Sequence, residues 1–492
     1  MANLFTNKIS ELIGLKENRL TILKNNDHFL YKKEVQKELS EIGVEVVSGS
    51  SLDIRIHFEL NYKANKDQYY CYLVANHEDL LEDILNEGCC KVFQLITYFP
   101  EYHAETILSC SVYELNLLFN NKPLNTLSEA QTVTYLSQCK LHEISNKDQI
   151  KNRILSELKS LIDNPVKDWS KVIVLVSEVI LTVIKEGLWE EIKAEIKNIN
   201  EQFQHHLEHS FKAHIIPASF VKKPSVVSNV LPFIHFNFNP KDKVAVIVID
   251  GMSYWQFLML ASHLHEEVEI SPDIIYSWIP SITQLSRQAI FRGTIPVSNY
   301  KQDPANESKL WYTYWLGKGI MNTQIRYDYR KLKDENLTNI LRLALVDDAL
   351  DNKMHASADY NDLYDLTQNW IENTSIVQSI NRLLSDNFTV FITTDHGNLK
   401  ARSLNYLGAK EKLGTNKSGS RSLRHLEYSD IWLKDQFLAN HEDWLPFLGQ
   451  DDNTIYIKND FAFSTDGSIV THGGSHFLEV LIPFITLKKV NK

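Results

Sequence analysis

A chain of 492 residues is more than one hydrophobic core usually organises, so two or three domains are expected. A hydrophobic fraction of 43% and a charged fraction of 23% are those of an ordinary globular protein and exclude a disordered or fibrous chain. A net charge of −11 argues against broad adhesion to nucleic acid or to a membrane surface, while leaving room for a local basic patch.

Met1 to Gly14 is amphipathic and has no apolar signal core, and the five cysteines, all between Cys71 and Cys139, include no C-x-x-C pair. Both features predict reduced thiols and a cytoplasmic protein. Residues 1–105 are expected to form a small α/β domain. Gly43–Val47 and Ile54–Leu60 alternate as strands do, and Tyr69–Val74 is rich in strand formers.

Residues 106–240 are expected to be a helical region ending in a linker. Asn152–Ile162 and Leu188–Phe203 place apolar residues at spacings of three and four. Val172–Ile184 is interrupted by Glu178 and falls short of the ~20 apolar residues of a membrane span; it reads as a buried helix or strand, and no membrane partner is expected. His205, His206 and His209 read as solvated side chains near a helix end rather than metal ligands, and Pro217, Pro224 and Pro232 punctuate the linker. The segment 1–240 as a whole suits docking of protein partners.

Residues 241–492 form the third zone. Val244–Ile249 is wholly apolar and mostly β-branched, as in a sheet covered on both faces. Further strands are expected at Leu343–Val346, Phe388–Thr393 and Leu481–Leu487, with helices at Ser253–Leu264 and Ile376–Leu384 between them. Alternating strands and helices predict an α/β domain with a largely parallel sheet.

Acids gather where these strands end. Asp250 follows the first; Asp347, Asp348 and Asp351 follow the second; Asp395 and His396 follow the third; His472 precedes the last in a His-Gly-Gly turn. Ligands of an open α/β sheet bind outside the carboxyl ends of its strands. Carboxylates crowded there would repel one another, and a pair of divalent cations removes that repulsion. Pro280-Ser281-Ile282-Thr283 leads into a helix at Gln284–Phe291, which puts the Thr283 hydroxyl where a helix N-terminus favours anions.

The set Val248-Ile249-Asp250-Gly251, Pro280-Ser281-Ile282-Thr283-Gln284-Leu285-Ser286-Arg287, Thr394-Asp395-His396-Gly397 and His472-Gly473-Gly474 resembles the PglZ domain, a branch of the alkaline phosphatase superfamily. The resemblance spans about Lys243 to Lys492. More loosely, the N-terminal half resembles the regions that precede this domain in PglZ proteins of BREX phage-defence systems. The resemblance implies an alkaline-phosphatase-like sheet flanked by helices and a two-metal hydrolase with Thr283 as nucleophile. It implies one metal on Asp250, Thr283, Asp395 and His396, and a second on Asp347, Asp351 and His472. A rival register pairs Asp351 with His355; the first is preferred because Asp347 directly follows its strand.

The donor set suits zinc, and manganese would also accept so many oxygens. Four carboxylates against two dications leave little surplus positive charge, which favours a monoanionic diester over a monoester and so a phosphodiesterase acting on nucleotides or nucleic acid. Arg287, Arg421 and Arg424 are candidate anion partners. Two segments could select substrate: Pro296–Asn339, with Trp311, Tyr312, Tyr314, Trp315, Tyr327 and Tyr329, and the basic loop Lys400–Arg424. The competing expectations are a phosphomonoesterase or phosphomutase of the same superfamily, and a non-catalytic scaffold subunit of a defence complex.

Overall fold

A computed structural model of the chain describes residues 4–14, 18–41, 43–66, 68–164, 167–215, 223–265, 267–297, 300–404, 423–464 and 467–490. It divides into two compact units, Met1–Asn152 and Arg153–Lys492. Among the described residues no helix is long and apolar enough to cross a membrane.

The first unit is a four-stranded sheet of β1 (Leu20–Asn25), β2 (Val44–Ser48), β3 (Tyr69–Val74) and β4 (Cys89–Phe93), in the order β2-β3-β1-β4 and parallel throughout. Side chains alternate across it into two cores. Leu23, Cys71, Leu73 and Phe93 face one, Leu20, Ile22, Tyr70 and Tyr72 the other. Ile107, Val112, Leu115 and Leu118 pack into the first core, so the unit continues past residue 105.

The expected strand at Ile54–Leu60 is instead a helix, Ser51–His57, prolonged by a wider turn over Phe58–Tyr62. Ser50 and Asp53 close a reciprocal capping box at its start, which satisfies two free backbone donors and fixes the helix. Ile54, Phe58 and Tyr62 are buried at a spacing of four, whereas Leu52, Ile56 and Leu60 are exposed. The apparent alternation came from overlaying those two helical rows.

The second unit begins well before residue 241. Helices Trp169–Glu186 and Trp189–Ile215 belong to it, the former packing on the helix Tyr254–Ala261. Val172–Ile184 is therefore helical. Part of the expected linker is ordered: Val227–Asn229 and Val230–Asn237 are helical turns, with Pro232 in the opening turn where its missing N–H costs nothing. Pro217 lies outside the described residues.

The main sheet of this unit contains β5 (Val244–Ile249), β6 (Val268–Tyr276), β7 (Ile325–Tyr329), β8 (Arg342–Asp347) and β9 (Thr389–Thr393). Short strands β10 (Leu399–Ser403), β11 (His425–Glu427), β12 (Leu448–Asp451), β13 (Thr454–Ile457), β14 (Phe461–Ala462) and β15 (Ser468–Thr471) form two small sheets. The last strand, β16 (Leu481–Lys489), returns to the main sheet, whose order is β6-β16-β9-β5-β8-β7. β9, β5, β8 and β7 are parallel; β16 runs antiparallel between β9 and β6. The fold is thus a largely parallel sheet flanked by helices. All six residues of β5 are buried, as a strand covered on both faces requires. Register pairs Ile249 with Asp347 and Val248 with Thr393, so the residues following all three strands emerge at one edge.

Candidate active site

At that edge lies a cleft of 410 Å³ lined by Asp250, Thr283, Arg287, Asp351, His355 and His472, among others. Each side chain is delivered by a backbone device. Gly251 turns β5 away at φ +73°, and a Cβ there would come within 3.3 Å of Asp351 Oδ1, so the turn fits glycine. Gly251 N–H and His396 N–H both donate to Asp395 Oδ1, each at 3.2 Å. Thr283 opens the helix Thr283–Arg292, as its sequence suggests. At Gly474 an added Cβ would collide with the Ile457 carbonyl.

Thr283 Oγ1 stands 3.1 Å from His396 Nε2. His396 Nδ1 lies 2.9 Å from the Gly397 carbonyl, and His472 Nδ1 lies 2.9 Å from the Ser281 carbonyl. A carbonyl only accepts, so Nδ1 of each ring is the donor to it and Nε2 is the nitrogen left to face the site, the usual orientation of a metal-ligating histidine. The two rings stack at 3.6 Å and 6°. Asp250 Oδ1 and Asp395 Oδ2 lie 3.5 and 3.7 Å from His396 Nε2.

Two groups of side chains converge closely enough to share a cation: Asp250 with Asp351 and His396, and Asp351 with His355 and His472, the ligand atoms of each group within 4.8 Å of one another. Asp351 and His355 sit at i and i+4, His355 ending the short helix Ala349–Met354. Asp347 is elsewhere. Its Oδ1 accepts from Ala349 N–H at 2.9 Å and its Oδ2 from Trp370 Nε1 at 3.2 Å. Among the described residues it is His355, as in the rival register, rather than Asp347 that stands with Asp351 and His472, and Asp347 holds the turn that presents them.

The electrostatics call for a counter-charge. Burial, then the Asp395 and Asp351 carboxylates, push the Asp250 carboxyl well above its ordinary range. Burial works the same way on Asp351, but the His355, His472 and His396 imidazoles beside it hold it below that range. Burial, reinforced by His396, pulls the His472 imidazole well below its usual value. Asp250 Oδ1, Asp351 Oδ1, Asp395 Oδ2 and His355 Nε2 are buried with no hydrogen-bond partner, although His355 Nε2 and Asp351 Oδ1 stand 3.3 Å apart. Buried polar atoms are rarely left so. Oxygen and imidazole donors orphaned around one cleft are the donor set of a divalent cation site.

The arginines divide. Arg287 is buried, with one amino group 2.7 Å from Asp250 Oδ2 and its Nε and other amino group on Glu307 at 2.6 and 2.7 Å. Burial alone would lower its pKa, yet Glu307 and Asp250 raise it well above normal. It is a fixed charge behind Asp250. Arg424 is fully buried 2.7 Å from Glu479, which also accepts from the His476 N–H. It secures the loop after His472 rather than meeting substrate. Arg421, and most of the basic loop Lys400–Arg424, lie outside the described residues. Trp311 and Trp315 are fully buried, 5.6 Å apart, and so build the core rather than a stacking platform. His206 Nε2 lies 3.1 Å from Tyr276 Oη, and the His205 and His209 rings are 4.5 Å apart. Asp348 and Tyr329, which the sequence marks, also line the cleft, as do Arg330 and His425, which it does not.

The profile of the BREX system PglZ alkaline phosphatase-like domain matches residues 232–487. Among solved structures, murine ectonucleotide pyrophosphatase/phosphodiesterase 5 is similar at 12% identity, over 51% of this chain and 90% of that one, with a TM-score of 0.35. Phosphonoacetate hydrolase from Sinorhizobium meliloti 1021, in complex with phosphonoacetate, is similar at 12% identity over 50% and 90%, with a TM-score of 0.32. Among curated proteins none matches.

Proposed function

Since the chain belongs to the family of the BREX system PglZ alkaline phosphatase-like domain, we propose that it is a metal-dependent phosphodiesterase with Thr283 as its nucleophile. The observation that carries this reading is the threonine hydroxyl 3.1 Å from His396 Nε2, beside partnerless oxygens of Asp250, Asp351 and Asp395. Asp250, Thr283, Asp395 and His396 would hold one divalent cation, zinc by preference, and Asp351, His355 and His472 a second. Such cations supply charge stabilisation to the attacking and leaving oxygens of an in-line displacement.

The chain's own residues do the rest. Thr283 presents its oxygen from the first turn of its helix, where the backbone favours the anion it becomes. The Gly397 and Ser281 carbonyls fix which nitrogen His396 and His472 offer. Arg287 steadies the charge of Asp250 from behind. With Asp347 outside the site, three carboxylates oppose two dications, and the surplus positive charge is cancelled once Thr283 ionises. A monoanionic diester asks least of such a site, and nucleotides or nucleic acid are the class proposed.

The test pairs bis-p-nitrophenyl phosphate with p-nitrophenyl phosphate, with and without chelator, alongside the metal content of the purified protein. Expected are faster diester turnover, its loss with chelator, and none in Thr283→Ala. Parental turnover by Thr283→Ala would overturn the assignment. The cellular setting proposed is phage defence with protein partners. Cells carrying Thr283→Ala should lose phage restriction; unchanged plating would favour the scaffold reading.

A further inference from the structure

We propose that Arg330 is a specificity residue, binding a second phosphate of the substrate next to the scissile diester. This rests on the phosphodiesterase reading, and it adds a preference for phosphorylated oligonucleotides over isolated diesters.

Arg330 lies directly after β7, lines the same cleft as Thr283, and leaves 64% of its side chain exposed. Arg287 is committed to Asp250 and Glu307 and Arg424 to Glu479, so among the described arginines of the sequence motifs none is available to a ligand. The Arg330 backbone has φ +66°, a left-handed conformation that a side chain as large as arginine rarely adopts. It is held there by an N–H donated to the Val346 carbonyl of β8 at 2.6 Å. Glycine or asparagine would sit at ease in that position, and such outliers cluster at ligand clamps.

The guanidinium is preset for an anion. Nε and one amino group grip Asp348 at 2.7 and 2.8 Å, and Tyr329 Oη donates to the same carboxylate at 2.7 Å. This uses one edge of the fork, with the Tyr329 ring centroid 5.3 Å from the guanidinium carbon. Asp348 is only 15% exposed beneath it, so the carboxylate fixes the guanidinium while its second edge is offered to a phosphate, whose geometry it matches. A cation this exposed meets a charge at the rim, beyond the buried ligands around the scissile phosphorus.

Binding to the Thr283→Ala protein, which does not need turnover, tests this. Titration calorimetry would compare dithymidylate with and without a 5′-phosphate. The phosphate should tighten binding about tenfold. In Thr283→Ala/Arg330→Asn that preference should vanish, while affinity for the unphosphorylated dinucleotide stays within about twofold. Arg330→Lys should restore part of it, keeping charge without the fork. Asparagine tolerates the left-handed backbone, so an unchanged melting temperature checks the fold. Equal affinity for the two dinucleotides, or a preference that survives Arg330→Asn, overturns the proposal. Failure of the phosphodiesterase reading would appear separately, as absent diester turnover by the parental chain.

Discussion

Replacing Asp347 and His355 in turn separates two registers that the sequence left open. Asp347→Ala strips the acceptor from Trp370 Nε1, which is fully buried, and from the half-buried Ala349 N–H. A stranded buried donor costs about 1–3 kcal/mol, with less at a site that water reaches. Against this, Asp347 is itself a buried carboxylate whose pKa burial raises, and its removal returns part of that desolvation. The net loss is about 2 kcal/mol. The unit spans Arg153–Lys492, and unfolding entropy scaled to that length gives roughly 0.7 kcal/mol per degree, so its melting point should fall by about 3 °C. Metal stoichiometry at saturation should stay at two per chain, with affinity at the Asp351–His355–His472 group weakened about 10–100-fold because the turn presenting it loosens. His355→Ala should do the reverse: one metal per chain and little change in the melting point of the metal-free protein. Elemental analysis and thermal denaturation on both variants decide the matter. One metal in Asp347→Ala and two in His355→Ala would refute the register drawn from these contacts.

Three further outcomes are expected. Glu307→Gln removes one of the two carboxylates on a buried guanidinium; a loss of about 3 kcal/mol in urea unfolding and weaker metal retention against a chelator are expected. Gln204 bonds the carbonyl and hydroxyl of Ser475 at 2.7 and 2.8 Å, so Gln204→Ala should lower kcat several-fold through the loop carrying His472 while costing only about 1–2 kcal/mol. The His425 imidazole is pushed down to about 4 by burial and stays neutral in the fold, whereas the unfolded chain protonates near 6.5. Its stability contribution is whole above about pH 6.5 and is lost as pH falls towards 4, by roughly 3 kcal/mol; His425→Gln should flatten urea midpoints over that window.

What the sequence made legible depends on how local its causes are. β5 was readable because six apolar residues in a row ending in an acid admit few other structures, and Thr283 because a proline-led turn into a helix is encoded within a few residues. The error at Ile54–Leu60 is equally local: Ile54, Ile56, Phe58 and Leu60 satisfy period two, but Ile54, Phe58 and Tyr62 satisfy helical spacing, and the Ser50–Asp53 capping box was the signal that decides. Arg424 could not be read this way, since its partner Glu479 is 55 residues further on and nothing near Arg424 distinguishes a surface guanidinium from a buried one.

The register at the second metal group shows how two sound rules can disagree. Strand-end logic put Asp347 in the site, because functional acids do follow parallel strands. Helix geometry put Asp351 and His355 there, because residues four apart share a face. The contest turns on Trp370, whose ring nitrogen and whose position on the helix Tyr360–Asn373 are invisible from the segment around Asp347. Once that indole donates to Asp347, the strand-end acid is occupied by neutral donors and has no need of a cation. Asp351 lacks such donors and faces three imidazoles instead. On the proposed reading, the carboxylate open to a metal is the one the fold leaves without hydrogen-bond donors, and those donors come from elements distant in sequence.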